Sequence, residues 1–256
     1  MIKTVKEFIK KHSKTLIFFG IAGLIGGFFT GLFVIDSYPD EMKQQMYDQG
    51  LNNLLLSVIT ALQAMGYGVT LGAVGIFLGE RVGLFRGERR LERKPLLITG
   101  AASVVAGLSF ILFDLLWFGR VSEAIMESYS AKPTLAFIIG AIIYGGVIEE
   151  VMLRLFLMSL IAFILHKIFG KGKEHPTVAI YTVANVLSAI LFALAHLPAT
   201  AVLLGITPLI VFRCLLLNGG IGVIFGWLYQ RYGLRYSMIA HAGCHVVAKL
   251  IWIIFI

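Results

Sequence analysis

Gly145-Gly-Val-Ile-Glu-Glu-Val-Met-Leu-Arg154 places two adjacent carboxylates and one guanidinium inside a long apolar segment. A charged side chain in the middle of a bilayer costs several kcal/mol, so such residues are usually rare, inward-facing and functional. On a helix, Glu150 and Arg154 are four residues apart with the acid first, which favours an ion pair. Glu149 lies about 100° further round the axis. The spacing predicts a structural carboxylate, Glu150, and a carboxylate free for chemistry, Glu149.

The composition of the whole chain is that of a membrane protein. Of its 256 residues, 58% are hydrophobic and only 14% are charged. A soluble domain carries about 25% charged residues. The sequence therefore predicts an all-α, polytopic integral membrane bundle and leaves no room for a separate soluble domain.

Seven apolar stretches are long enough to cross a bilayer, which takes about 20 residues. The fourth stretch is much longer than this minimum, so we expect it to be kinked, strongly tilted or broken, with Gly145-Gly146 as a plausible break point. A count of eight spans is the alternative. The predicted spans cover residues 15–35, 51–78, 95–118, 133–170, 177–197, 207–229 and 236–256.

The chain divides into three parts. Residues 1–14 form a basic N-terminus, residues 15–133 form the N-terminal transmembrane helices, and residues 134–256 form a C-terminal core that holds the charged stretch. We expect the core to carry the chemistry, because most of the intramembrane titratable groups lie in it.

Lysine and arginine are distributed unevenly between the two sides of the predicted membrane. Of the 22 basic residues, 16 lie in the N-terminus and in alternate loops, at 80–94, 167–173 and 231–235, and three lie in the opposite loops. The positive-inside rule then predicts a cytoplasmic N-terminus, in what we expect to be a bacterial plasma membrane. The net charge of +8 reflects this topology, so no nucleic-acid partner is expected.

Several further titratable groups fall inside the apolar segments. A carboxylate beside imidazoles in a low-dielectric site is competent for hydrolysis, because Glu149 can take a proton from a water that attacks a carbonyl while an imidazole stabilises the oxyanion. Three of these groups share one face of the last helix, at i, i+4 and i+8. The groups are Asp114, His196, His241, His245 and Lys249.

Two other uses of the same residues remain open. His241 and His245 could bind zinc together with Glu149 and His196, since neutral imidazole is a good zinc ligand, although the chain has no HExxH motif. The glutamate pair could instead be a buried ion cluster that only fixes helix packing. Asp114 and Lys249 are interpreted as members of buried pairs or as side chains that reach the membrane surface.

Together these residues resemble the CAAX prenyl endopeptidase and bacteriocin-processing (CPBP) family of intramembrane proteases. That family is recognised by three motifs on separate helices, EExxxR, FxxxH and a late HxxxN or HxxxD. The resemblance covers about residues 134–250. The three motifs stand here at Glu149-Glu150-xxx-Arg154, at Phe192-xxx-His196 and from His241 onward.

The resemblance implies a glutamate-dependent intramembrane endopeptidase without a cofactor, acting on a membrane-associated peptide or protein. It implies that Glu149 activates water with His196 as its partner, and that His241 and the residue four positions later form an oxyanion hole. That later position holds His245, where the family usually has asparagine. A histidine can still donate one hydrogen bond.

Two other functions remain as alternatives. The departure at His245 favours a non-catalytic membrane scaffold or a bacteriocin-immunity-type protein of the same fold. A proton-coupled transporter is a weaker alternative, because no inverted repeat is evident.

The position of His196 also raises a question about its depth in the membrane. If its helix begins at Thr177, His196 lies near the far end of that helix, so we expect the helix to begin later or to be broken.

Overall fold

The computed structural model of the protein describes residues 4–34, 37–87, 90–170 and 172–256. The regular elements in these ranges are helices, which confirms the predicted all-α bundle. In chain order they are α1 (Val5–Val34), α2 (Asp40–Asp48), α3 (Asn53–Arg81), α4 (Arg93–Val121), α5 (Glu123–Ser128), α6 (residues 135–169), α7 (Val178–Leu204), α8 (Pro208–Tyr232) and α9 (Leu234–Phe255).

Six helices in the described part of the chain are long and apolar enough to cross a membrane, one fewer than the seven predicted from the sequence. They are α1, α3, α4, α7, α8 and α9. The remaining predicted span corresponds to α6, which carries the charged stretch and is divided into helical segments of 6, 9, 8 and 11 residues. This helix is continuous, but its type changes along its length. Ala141–Glu149 and Val151–Met158 are π-helical, and the two ends are α-helical. The chain therefore does not break at Gly145-Gly146.

The two glycines instead allow α6 and α9 to pack closely. A Cβ atom added at Gly146 would lie 2.7 Å from the Cβ of Ala242, and one added at Gly145 would lie 2.7 Å from Nε2 of His245. Both distances are shorter than the roughly 3.5–4.0 Å at which carbon atoms pack. Small residues allow such close approach between membrane helices. The glycine pair thus brings the following carboxylates beside the histidines of α9.

The first helix begins ten residues earlier than the predicted span, at Val5 rather than at residue 15, so much of the basic N-terminus is helical. Its His12 is buried, with Nε2 at 3.3 Å from Oε1 of Glu80 in α3. Lys11 Nζ lies 2.6 Å from the same oxygen. These contacts connect α1 and α3 at the end of the bundle where the basic segments lie.

The carboxylate of Asp114, in α4, connects that helix to α8. Asp114 is fully buried, and Arg213 donates to it twice, from Nε to Oδ1 at 2.6 Å and from Nη2 to Oδ2 at 2.5 Å. The hydroxyl of Tyr129 donates to Oδ2 at 2.7 Å. The interpretation of Asp114 as a member of a buried pair is confirmed. Lys249 is also largely buried, with its ammonium 4.2 Å from the centre of the Phe137 ring.

Candidate active site

Glu150 is fully buried and is contacted by three polar side chains. Its Oε1 lies 3.0 Å from Nη1 of Arg154 and 2.8 Å from Nδ1 of His241. The hydroxyl of Ser237 donates to Oε2. Because an ionised carboxylate only accepts hydrogen bonds, the proton in the His241 contact lies on Nδ1. Glu150 therefore connects α6 to α9 and fixes the orientation of one imidazole.

Arg154 extends the same cluster to α7 and α8. Its Nη2 donates to the carbonyl of Gly222 at 3.0 Å. Its guanidinium carbon lies 4.9 Å from the ring centre of Phe192 and 5.7 Å from that of Phe225. A guanidinium at such distances from an aromatic face is stabilised by the ring quadrupole. Arg154 therefore connects α6 to α7 and α8 beside the Glu150 cluster.

Glu149 has different surroundings from its neighbour. It lines a cavity of about 310 Å³, and its side chain is 20% exposed. Among the residues that the structure describes, no lysine or arginine lies within ion-pair distance of it. Among the histidines, His241 lies closest to it, with Nε2 at 3.8 Å from Oε2. Glu149 is therefore a carboxylate that faces open space without a cationic partner.

His196 and His241 reach the same cavity, and each has Nδ1 in a hydrogen bond. His196 Nδ1 donates at 2.9 Å to the carbonyl of Phe192, one turn earlier in α7. His241 Nδ1 donates to Glu150. In a neutral ring the second nitrogen, Nε2, is then an acceptor. The FxxxH spacing therefore has a physical role, since the carbonyl at its first position fixes the tautomer of the histidine at its last.

His245 lines the cavity with a less restricted ring. It stacks on His241 with ring centres 5.0 Å apart and planes 27° apart. Neither ring nitrogen has a hydrogen-bond partner within the described ranges. Either tautomer is therefore available to His245, and an N–H group can be directed into the cavity.

Three further polar residues, Thr30, Tyr144 and Asn218, line the cavity, and the sequence analysis did not identify them as site residues. Tyr144 lies one π-helical turn before Glu149, and Asn218 lies in a π-helical segment of α8. The Nδ2 of Asn218 is 3.4 Å from Sγ of Cys214. The available signal for Asn218 was a polar residue followed by two glycines within an apolar span. Tyr144 gave no such signal, because tyrosine is common in membrane helices.

The depth of His196 agrees with that of Glu149, although α7 runs without a break from Val178 to Leu204. Glu149 lies about 20 residues before the end of α6, or roughly 30 Å at the ideal rise. His196 lies about 18 residues after the start of α7, or roughly 27 Å. The prediction of a late or broken helix is wrong, because α6 is so long that both residues lie far from the α6–α7 connection.

The cavity lies towards one end of the bundle. Besides the titratable residues, it is lined by Thr30, Phe33 and Val34 at the end of α1 and by Phe137 near the start of α6. These helix ends adjoin the loops that are poor in lysine and arginine. Within the described ranges, no group of three or more His, Cys, Asp or Glu residues is arranged to hold a metal ion.

Comparison with known proteins agrees with the motifs. The sequence model of the family described as type II CAAX prenyl endopeptidase Rce1-like matches residues 131–247, a region that includes all three motifs. No curated protein and no solved structure matches the chain significantly. This protein is an integral membrane protein whose region 131–247 is similar to the Rce1-like family of type II CAAX prenyl endopeptidases, in agreement with the resemblance that the motifs indicated.

Proposed function

We propose that this protein is an intramembrane endopeptidase in which Glu149 activates the attacking water. The family match supports a CAAX-type protease as the class of enzyme. One observation carries the choice of residue. Glu150 is fully engaged by Arg154 and the residues of α9, whereas Glu149 faces the cavity without a cation. Of the two glutamates, only Glu149 is free to accept a proton.

In this mechanism Glu149 accepts a proton from water, and the hydroxide attacks the carbonyl carbon of the peptide bond. His196 orients that water, because its Nδ1 donates to Phe192 and its Nε2 is left as an acceptor. The carbon–nitrogen bond then breaks as the leaving amine takes the proton from Glu149. The products are a carboxylic acid and an amine, and Glu149 returns to its ionised form.

The oxyanion of the tetrahedral intermediate requires a hydrogen-bond donor. A neutral His241 has its only N–H group on Nδ1, in the bond to Glu150, so its Nε2 donates only when the ring is doubly protonated. His245 has no such restriction. We assign His245 as the principal neutral donor, with His241 beside it.

The position of the cavity suggests the side from which the substrate arrives. The cavity borders helix ends at the face that is poor in lysine and arginine, which the positive-inside rule places outside the cytoplasm. Val34→Cys should therefore react with a membrane-impermeant maleimide in intact cells, whereas Arg90→Cys at the other face should react only after permeabilisation. The reverse pattern would contradict this orientation. The native Cys214 and Cys244 are buried.

The enzyme assignment is tested with purified protein in lipid nanodiscs and a library of membrane-anchored peptides, with products identified by mass spectrometry. We expect cleavage by the wild type and by Glu127→Ala, which removes an exposed carboxylate outside the cavity. We expect no cleavage by Glu149→Ala. If the folded wild type binds membrane peptides but cleaves none, the non-catalytic scaffold replaces the enzyme.

A further inference from the structure

A second and larger cavity, of about 780 Å³, lies in the opposite half of the bundle. It shares no lining residue with the cavity of Glu149. Its apolar part lies between α1 and α9, both of which pack against the π-helical part of α6. Phe18 and Phe19 line it on one side, Met238 and Ile239 on the other, and Val147 of α6 lies between them.

The polar part of this cavity is strongly basic. Among the described residues, four arginines and one carboxylate, that of Glu92, line it. Two lie in the α3–α4 connection, one lies in the last turn of α8 and one in the first turn of α9. The hydroxyl of Tyr236 accepts a hydrogen bond from the backbone N–H of Glu92 at 2.8 Å and so joins the α3–α4 connection to α9. The four arginines are Arg86, Arg90, Arg231 and Arg235.

The apolar part borders the surface that faces lipid. Phe18 is 52% exposed and Ile239 is 38% exposed, and they stand on the two helices that flank the cavity. Large apolar side chains on the outside of membrane helices contact hydrocarbon. A chain of hydrocarbon can therefore enter the cavity from the bilayer while a polar group remains among the arginines.

We propose that this cavity binds an anionic phospholipid. The phosphate lies among the arginines, and one acyl chain lies along Phe18, Met238 and Ile239. Guanidinium groups bind phosphate oxygens in pairs of charge-assisted hydrogen bonds. Basic cavities between membrane helices at the positively charged face bind anionic head groups for the same reason. The volume is within the usual range for small-molecule sites, about 300–1,000 Å³.

A ligand in this cavity would contact α6, the helix that carries the proposed base. Val147, which contacts the proposed acyl chain, is two residues before Glu149 in the same π-helical segment. A bound lipid therefore supports the segment that carries the proposed base. The binding proposal itself does not depend on the proposed function, because it is measured without any substrate.

The experiment measures lipid binding to the purified full-length protein by native mass spectrometry and by the rise in unfolding temperature. The probes are dioleoylphosphatidylglycerol, dioleoylphosphatidylcholine and soluble glycerol 3-phosphate. We expect the phosphatidylglycerol to bind more tightly than the zwitterionic lipid and to stabilise the protein. Glycerol 3-phosphate, which lacks acyl chains, should compete only weakly.

Matched variants locate the site. Arg90→Gln with Arg231→Gln removes two exposed charges of the cavity and should weaken phosphatidylglycerol binding about 30-fold. Arg93→Gln with Lys94→Gln removes two exposed charges near the same face but outside the cavity, and should leave binding as in the wild type. Ile239→Asn keeps every charge and should weaken binding about tenfold through lost apolar contact.

Three results would overturn the proposal. Equal binding of the anionic and zwitterionic lipids would exclude a charge-selective site. Equal loss in both double variants would show diffuse surface attraction instead of a cavity. Complete displacement by glycerol 3-phosphate, with no effect of Ile239→Asn, would show that only a phosphate binds. Unfolding temperatures without lipid provide the control that all variants are folded.

Discussion

Two buried carboxylates in this protein are each paired with an arginine, yet only one belongs to the candidate active site. Asp114 receives two hydrogen bonds from Arg213 and one from Tyr129. Glu150 contacts Arg154, His241 and Ser237. Both clusters satisfy a buried charge in the way that an apolar environment requires. Pairing alone therefore does not identify a catalytic site.

The difference lies in what the partners contact on their other side. Neither Arg213 nor Tyr129 lines the cavity of Glu149. His241 binds Glu150 through Nδ1 and directs Nε2 towards Glu149 at 3.8 Å. The second cluster is therefore structural and also positions an imidazole beside a carboxylate without a cation. The comparison shows that a buried ion pair contributes to chemistry when a side chain hydrogen-bonded to it also reaches the cavity with another polar atom.

The largest expected effects are on stability, in a matched pair of variants. Asp114→Asn and Glu150→Gln each leave a buried arginine without its counter-charge, so each should lower the free energy of unfolding by about 3–5 kcal/mol. They should differ in activity. Asp114→Asn should keep the turnover of each folded molecule, whereas Glu150→Gln should lose much of it because His241 loses its ionised acceptor.

The measurement combines denaturant unfolding in detergent with turnover corrected for the folded fraction. Equal turnover in both variants would show that Glu150 only stabilises the fold. Equal loss of turnover in both would show that the two clusters are coupled, and the distinction between them would then fail.

His245 provides the next test, with an effect on activity. As the oxyanion donor, it should be replaceable by asparagine with activity kept or raised, whereas His245→Ala should lose about 10²–10³-fold in turnover. Indistinguishable turnover in the three proteins would make His245 a packing residue.

Part of this arrangement is visible in the sequence, and part depends on contacts between distant helices. The all-α membrane fold and the family follow from composition and from three local motifs. Glu150 and Arg154 are within one helical turn, so their contact is a matter of spacing. Ser237 and His241 contact Glu150 from α9, and nothing local indicates that. The π-helical turns of α6 and the continuous course of α7 likewise depend on packing. The sequence analysis therefore left a kink, a strong tilt or a break open for α6, and a late start or a break for α7.

Gly145 gives a smaller effect that tests the close packing of α6 and α9. A methyl group at this position would lie 2.7 Å from Nε2 of His245, so Gly145→Ala should displace that ring and cost about 1–3 kcal/mol of stability. Gly66→Ala is the matched control, because no atom lies within 4 Å of the added methyl group. Unfolding temperature and turnover measured for both variants separate crowding from helix propensity. Similar behaviour of the two would contradict the packing argument.

Metal removal should have the smallest effect. If Glu149 acts as a general base alone, turnover should survive exhaustive treatment with EDTA or phenanthroline, and metal analysis should find well under one equivalent per chain. Stoichiometric zinc whose removal and return switches activity off and on would favour a metalloprotease instead.

The division of roles between the two adjacent glutamates is tested most directly by the cleavage rate of folded Glu149→Gln. The substitution keeps the size of the side chain and removes only its ability to take a proton. The account predicts a loss of about 10²–10⁴-fold in the rate of the chemical step, with an unfolding temperature close to that of the wild type. A variant that cleaves as fast as the wild type, or that is destabilised as much as Glu150→Gln, would contradict it.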